Sequence, residues 1–385
     1  MNVFFISDLK IFSKGGGSLD EQKRYSGVEK WCKNVGANLF SFSLDNKIDT
    51  SFQHCELKKT KIADILSRFF FHSSFVFFNT KVIKKMIKEY KPKAIVMCRT
   101  RFGFFCKRIK KHFPNIKICV IEANVEYDYA NACFLNENQL KRKLELFCVK
   151  RDEKNCLKNI DGMINLTKRD ESRFHELYNG SYKETILPVC IKKEKTLKIN
   201  NGKNNVVFIG SLNYAPNVNA INSFIDKIWI PFFKDNETFN LIVGGKNPHE
   251  SIVQRLNTIS NSELHKNFNS VEDIIPSRSL FVSPIQEGAG MKVKVAEALS
   301  MGVGIIGSSE TFIGYEEVLN DCDSSFLIKE ENDLQKYRNF IDEYFRNFSQ
   351  NNSVLLKKLF LRYYSFDRST NVIGDFLGSL INEKI

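Results

Sequence analysis

Short apolar runs recur along this chain, each followed by a polar or glycine-bearing turn and then a stretch with helical periodicity. Residues 2–6, 94–98, 116–121, 162–165, 206–209, 239–243, 280–285 and 303–306 are short, largely apolar runs of the length expected of buried parallel strands. The segments 19–35, 104–112 and 136–157 carry helical spacing. Strand and helix alternating at this interval predict an α/β protein with parallel sheets. One polar stretch, KKEKTLKINNGKNN at 192–205, interrupts the pattern, after which a new strand-and-helix alternation begins. It divides the chain into an expected first domain, 1–192, and a second, 206–365. The tail from 332 is helical throughout. Ile373, Phe376, Leu377, Leu380 and Ile381 are spaced for one buried face. Residues 366–385 are expected to cross back to the first domain.

The most informative stretch is LFVSPIQEGAGMKVKVAEALSMGVGII, residues 280–306. A strand leads into a turn, Glu287-Gly288-Ala289-Gly290. A helix follows, with Val293, Ala296 and Ser300 predicted to face one way and Lys292, Lys294 and Glu297 to lie off that face. A second strand closes the unit. The turn sits at the helix N-terminus, where unpaired amides and the positive end of the dipole attract phosphate, and glycines allow close approach. Lys292 and Lys294 add charge there, and Glu297 can accept from a sugar diol. These parts suit a nucleoside diphosphate carrying a sugar. The same spacing also suits an ordinary βαβ unit with a solvated lysine face, and spacing alone does not separate the two.

The wording of the motif does. Gly288-Ala289-Gly290-Met291-Lys292-Val293-Lys294-Val295-Ala296-Glu297-Ala298 resembles the donor-binding motif of glycosyltransferase family four, whose members have the GT-B fold. The more familiar form of that motif has a second glutamate where this chain has Ala289. The resemblance extends to Gly210-Ser211 with the Pro216-Asn217 that follows, and to Phe239–Val243 with Gly244-Gly245. More weakly it includes Glu122-Ala123-Asn124-Val125-Glu126, where a histidine familiar in the family is replaced by Ala123. It implies two Rossmann-like domains facing each other across a cleft. It also implies transfer of a sugar from a UDP- or GDP-linked donor to a hydroxyl of a saccharide or lipid-linked saccharide, in a bacterial surface-polysaccharide setting such as lipopolysaccharide or capsule. Transfer is expected without a metal and with retained configuration. Lys292, Lys294 and Glu297 are the expected catalytic set. Gly16, Gly17, Gly210, Ser211, Gly244, Gly288, Ala289, Gly290 and Met291 are expected around the donor, and Glu122, Asn124 and Glu126 on the acceptor side.

Composition adds a partner class. Lys and Arg number 57 against 44 Asp and Glu, a net charge of +13 that favours an acidic partner. Residues 58–93 hold ten Lys or Arg against Asp64 and Glu89, interleaved with phenylalanines that include Phe69, Phe70, Phe71 and Phe75. That composition suits contact with an anionic membrane face; it equally suits an amphipathic helix pair with its rings in the core. Nucleic acid is not expected, since no binding motif accompanies the charge. Ten scattered cysteines without CxxC spacing read as reduced cytosolic thiols, and no metal cluster is evident. The opening residues read as a strand, not a leader, and no run is long enough to span a bilayer. The expected location is therefore the cytoplasm, at the inner face of the membrane where the acceptor is lipid-linked. Thr167 and Asp170 read as a helix cap, and Asp321-Cys322-Asp323 as a turn. Two further classes fit the same residues: a sugar-nucleotide-binding partner without catalysis, and a sugar-nucleotide epimerase of the same fold.

Overall fold

The structure, a computed structural model, describes residues 1–12, 16–45, 53–135, 137–192, 196–197, 202–288, 290–322, 327–329 and 334–382. The chain forms two compact units. The first comprises Met1–Pro188 with Ser369–Ile385, and the second Val189–Arg368.

The first unit is built on seven strands: β1 (Asn2–Ile6), β2 (Asn38–Ser43), β3 (Gln53–Glu56), β4 (Ala94–Cys98), β5 (Lys117–Ile121), β6 (Gly162–Asn165) and β7 (Lys183–Ile186). Their order is β3-β2-β1-β4-β5-β6-β7, and every pair is parallel. Alternation along the strands splits the apolar side chains between two faces. Phe4, Ile6, Ile95, Met97, Ile118 and Val120 pack on one side. Val3, Phe5, Val96, Cys98, Cys119 and Ile121 pack on the other, against Tyr25 and Trp31 of the helix Gly16–Asn34. Ile373, Phe376, Leu377 and Leu380 of the final helix, Phe366–Asn382, cover the same face. Gly162 makes room for them: a Cβ there would lie 2.5 Å from Leu380 Cδ1.

The second unit has six strands: β8 (Asn204–Ile209), β9 (Phe239–Gly245), β10 (Ser262–Lys266), β11 (Ser279–Ser283), β12 (Gly304–Gly307) and β13 (Leu327–Lys329). Their order is β10-β9-β8-β11-β12-β13, again all parallel. Strand order reverses at β8/β11 here and at β1/β4 in the first unit. At such points the connections leave in opposite directions and open a crevice at the carboxyl ends. In the second unit that crevice falls between Gly210-Ser211, just past β8, and the 284–292 loop, just past β11.

The segment 58–93 forms two helices, Lys61–Phe69 and Val76–Tyr90. The charged stretch predicted as one helix over 136–157 begins instead at Gln139, after a separate helix Glu126–Cys133. Asn138 is the reason: its side chain accepts from Leu140 N and caps the second helix. Strand β3 escaped the sequence pattern, because its residues, QHCE, are not apolar. All ten cysteines are free thiols. Among the described residues no helix is long and apolar enough to cross a membrane.

Candidate functional site

The helix Val293–Met301 starts at Lys292, whose extended backbone (ψ 102°) breaks the helical run on the N-terminal side. It stops at Gly302, which adopts φ 71°. Its buried residues are Val295, Ala296, Ala298, Leu299, Ser300 and Met301. Val293, predicted to face the same way as Ala296 and Ser300, is 40% exposed, because burial begins two residues later. Tyr315, wholly buried, fastens the first turn: its hydroxyl accepts from Ala296 N at 3.2 Å and donates to Lys292 O at 2.8 Å. Val295 N also reaches Lys292 O, at 3.1 Å. The amides of Val293 and Lys294 therefore stand at the open end of the helix, the arrangement that favours an anion.

A pocket of about 300 Å³ opens over this end. Gly210, Ser211, Tyr214 and Asn217 border it on the β8 side; Glu287, Gly288, Met291 and Lys292 border it on the loop side. Val293, Lys294 and Glu297 complete the rim. Gly210 has a steric reason: a Cβ would sit 2.9 Å from Asn217 Nδ2, which donates to Ser211 O at 3.0 Å. Gly288 (φ 151°) and Gly290 (φ 63°) occupy backbone regions that L side chains avoid. A Cβ on Gly288 would also approach Lys292 Nζ to 3.1 Å. Met291 turns its sulfur to Val189 N at 3.4 Å. Ala289 lies outside the described residues. Gly244 does not line the pocket. Its carbonyl accepts from Gly210 N at 3.0 Å, so it supports the loop from behind. Gly16 and Gly17 begin the helix Gly16–Asn34 of the first unit.

The two lysines have different surroundings. Lys292 Nζ is ion-paired with Glu310 at 2.8 Å and donates to Gly290 O at 3.1 Å, which ties the glycine turn to the 308–315 loop. Lys294 Nζ is buried and has no hydrogen-bond partner among the described residues. It lies 5.1 Å from the Phe208 ring centre. Burial, and after it the charge of Lys292, lower its pKa from 10.5 to about 8, against the pull of Glu297. An ammonium held in this way lacks an acceptor, and an anion in the pocket would supply one. Sequence reasoning found both lysines. It missed Glu310 and Tyr315, which lie in the following loop and carry no spacing signal toward the motif.

In the first unit, a charged cluster sits at the carboxyl ends of β1, β4 and β5. Glu122 is buried, with Oε2 accepting from Thr100 N at 2.6 Å and Oε1 from Ala123 N at 2.9 Å. Burial, reinforced by Glu126, pushes its pKa up to about 8. Glu126 is buried against the Arg101 guanidinium, and the Asn124 amide points to Glu122 Oε1 at 3.4 Å. Glu153 was not foreseen, and it knits the cluster together. It accepts from Thr100 Oγ1, Glu126 N and Tyr178 OH at 2.8, 3.0 and 2.5 Å, and burial lifts its pKa to about 7. Arg99, with φ 98°, lies between Glu21 (3.3 Å) and Asp8 (3.6 Å). The pair Arg99 and Arg101 directly after an apolar strand was the available signal. Both oxygens of Glu122 face backbone amides, so its place is to fix the loop after β5. Glu126, beside a guanidinium, is the better candidate for contact with a substrate.

Thr167 caps its helix as its spacing predicts, accepting from Asp170 N at 3.1 Å. Asp321 ends the helix Glu316–Asp321 and pairs with Arg362 at 2.8 Å, whereas Asp323 lies outside the described residues. Glu171, His175 and Glu184 bring one ligand atom each within 4.8 Å of one another. His175 is already bonded to Glu184 at 2.7 Å, so the contact needs no ion to explain it.

Residues 203–347 match the family model described as Glycosyl transferases group 1. No curated protein matches the chain in sequence. Among solved structures, sucrose-phosphate synthase from Thermosynechococcus elongatus superposes with a TM-score of 0.69 at 11% identity, covering 99% of each chain. A glycosyltransferase from Rickettsia africae gives 0.66 at 10% identity over 100% of this chain and 99% of its own. WaaG, a glycosyltransferase involved in lipopolysaccharide biosynthesis, gives 0.61 at 13% identity, covering 97% of this chain and 99% of its own. At such identities the likeness establishes the shared fold.

Proposed function

Because this chain is a group 1 glycosyltransferase of the GT-B fold, which takes its sugar from a nucleotide-sugar, we propose that the pocket of the second unit holds the donor's diphosphate. Lys294 is the group that answers the charge. The observation that carries this reading is the buried, unpartnered Lys294 ammonium beside the open amides of Val293 and Lys294. As the glycosidic bond to the diphosphate breaks, negative charge grows on the departing oxygen. A cation and amides already oriented toward it stabilise that charge without reorganising. Glu297, one turn along the same helix face, is placed to accept from the ribose hydroxyls. Lys292 holds the glycine turn in shape through Glu310 and Gly290, and shares its charge with the donor. Gly210 and Ser211 close the opposite side.

The acceptor is a hydroxyl of a saccharide or lipid-linked saccharide, and Glu126 with Arg101 is the pair in the first unit proposed to meet it. The donor is UDP- or GDP-linked, and the anomeric configuration is retained, as in most of the family. A bacterial surface polysaccharide is the setting we propose.

Calorimetric titration of UDP and GDP into the protein and into Lys294→Met tests the assignment. Methionine keeps an unbranched side chain, one atom shorter, and removes the charge. Nucleotide affinity is expected to fall by about 100-fold or more, with slow donor hydrolysis falling in step. A variant that binds and hydrolyses donor as the parent does would remove Lys294 from the site. Isomerised donor would identify an epimerase, and binding without any turnover a partner subunit.

A further inference from the structure

The helix Lys61–Phe69 is strongly amphipathic, yet it is mounted the wrong way round for a globular protein. Its large apolar residues, Ile62, Ile65, Leu66 and Phe69, recur at the spacing of a core-facing stripe. They are instead 70%, 69%, 39% and 75% exposed. The face turned inward carries Ala63 and the fully buried Ser67, whose hydroxyl donates to Ala63 O at 2.7 Å. Polar contacts fix this orientation. Arg68 Nε bonds both oxygens of Glu145, at 2.8 and 2.9 Å, on the helix Gln139–Leu157. Arg151 from that same helix holds the carbonyls of Phe70 and Phe71 at 3.1 and 3.3 Å.

The second helix continues the apolar surface. Leu140, Leu144 and Phe147 are exposed, and Phe147 meets the Phe71 ring edge-on at 5.6 Å. Exposed apolar side chains gathered on two helices joined by the Phe71–Phe147 contact mark a docking face. Charge selects the occupant. Residues 58–71 and 139–151 together hold nine Lys or Arg against Asp64 and Glu145. Asp64 lies 3.8 Å from Lys59, and Glu145 is clamped by Arg68. A second copy of this chain would bring two such basic faces together and repel. An anionic bilayer offers negative headgroups to the lysines and an apolar layer to the Ile, Leu and Phe side chains.

We infer that the outward faces of Lys61–Phe69 and Gln139–Leu157 dock on an anionic lipid bilayer. This assigns the membrane contact expected of 58–93 to its first helix and adds the helix Gln139–Leu157 to it. It stands apart from the donor site, since vesicle binding is measured without nucleotide.

Flotation with vesicles of phosphatidylcholine alone, or with about one third phosphatidylglycerol, is the test. The full-length protein is expected to float with the anionic vesicles and to be released by high salt. Ile65→Ser with Phe69→Ser should lower the partition at least ~10-fold. Lys58→Ala with Lys61→Ala should lower it by about 10-fold or more on anionic vesicles only. All four positions are exposed, so the urea midpoint should not move. The inference is overturned by absence of binding, by equal binding to both vesicle types, or by serine variants that float like the parent. It is equally overturned if the serine variants instead abolish self-association or the binding of another protein.

Discussion

At the scale of single residues, Lys294 ties stability to pH through its proton. Its pKa in the folded chain is depressed to about 8, so the neutral form is favoured relative to the unfolded chain. The stability this contributes is present above the unfolded value near 10.5 and is lost as pH falls through about 8. Near pH 7 the protein therefore carries an uncompensated buried charge. Lys294→Met, proposed above to weaken donor binding, is expected to raise the unfolding free energy of the second unit at pH 7 in a urea titration, by on the order of 1–3 kcal/mol. A bound diphosphate acts in the opposite direction, because it stabilises the ammonium and raises the pKa. UDP affinity should thus be greatest below pH 8 and fall by up to ~10-fold per pH unit above it. Calorimetry in buffers of different ionisation enthalpy should show proton uptake on binding near pH 8. Affinity that stays level from pH 7 to 9.5 would contradict this coupling.

At the scale of elements, the helix Val293–Met301 depends on a residue outside it. The Tyr315 hydroxyl satisfies one amide and one carbonyl of the first turn, and its ring packs 5.0 Å from Tyr364. Tyr315→Phe keeps the ring and takes away the partner of the Ala296 amide in a buried place, while Lys292 O keeps its bond from Val295 N. The expected loss is about 1–3 kcal/mol in a urea titration, with weaker nucleotide binding as the turn loosens. A variant as stable as the parent would show that water replaces the hydroxyl. The strand-turn-helix unit itself was legible in the sequence, since short apolar runs, glycines and a 3.6-residue period are local signals. Tyr315 and Glu310 were not legible, because the folding of β12 and the loop after it brings them to the site. The 58–71 stretch shows the same limit. Its composition suited a core helix and a membrane-facing helix equally. The Arg68 and Arg151 contacts to and from Gln139–Leu157 decide that its apolar face points outward, whereas Phe75, a few residues on, is buried.

At the scale of the whole molecule, the last helix completes a core begun at the first strand. Ile373, Phe376, Leu377 and Leu380 are at most 8% exposed against the first unit's sheet. Four such side chains bury on the order of 6–12 kcal/mol of transfer free energy, comparable to the net stability of a domain. A chain ending at residue 368 is expected to lose the cooperative melting transition of the first unit and to become protease-sensitive there. The Val189–Arg368 unit should retain its own transition. Two transitions surviving the truncation would show that the helix is dispensable.

The order of apolar runs, their lengths and the glycine turns by themselves determined two parallel-sheet folds and the strand-turn-helix unit at 280–306. Those properties arise from hydrogen bonding and burial within short spans of chain. Only the tertiary structure separated Lys292 from Lys294, since that distinction depends on which ammonium finds a carboxylate. It also raised Glu122 and Glu153 out of the ordinary carboxylate range by enclosing them. Charge state, ion pairing and the direction of an amphipathic face depend on neighbours distant in sequence, and folding alone supplies those neighbours.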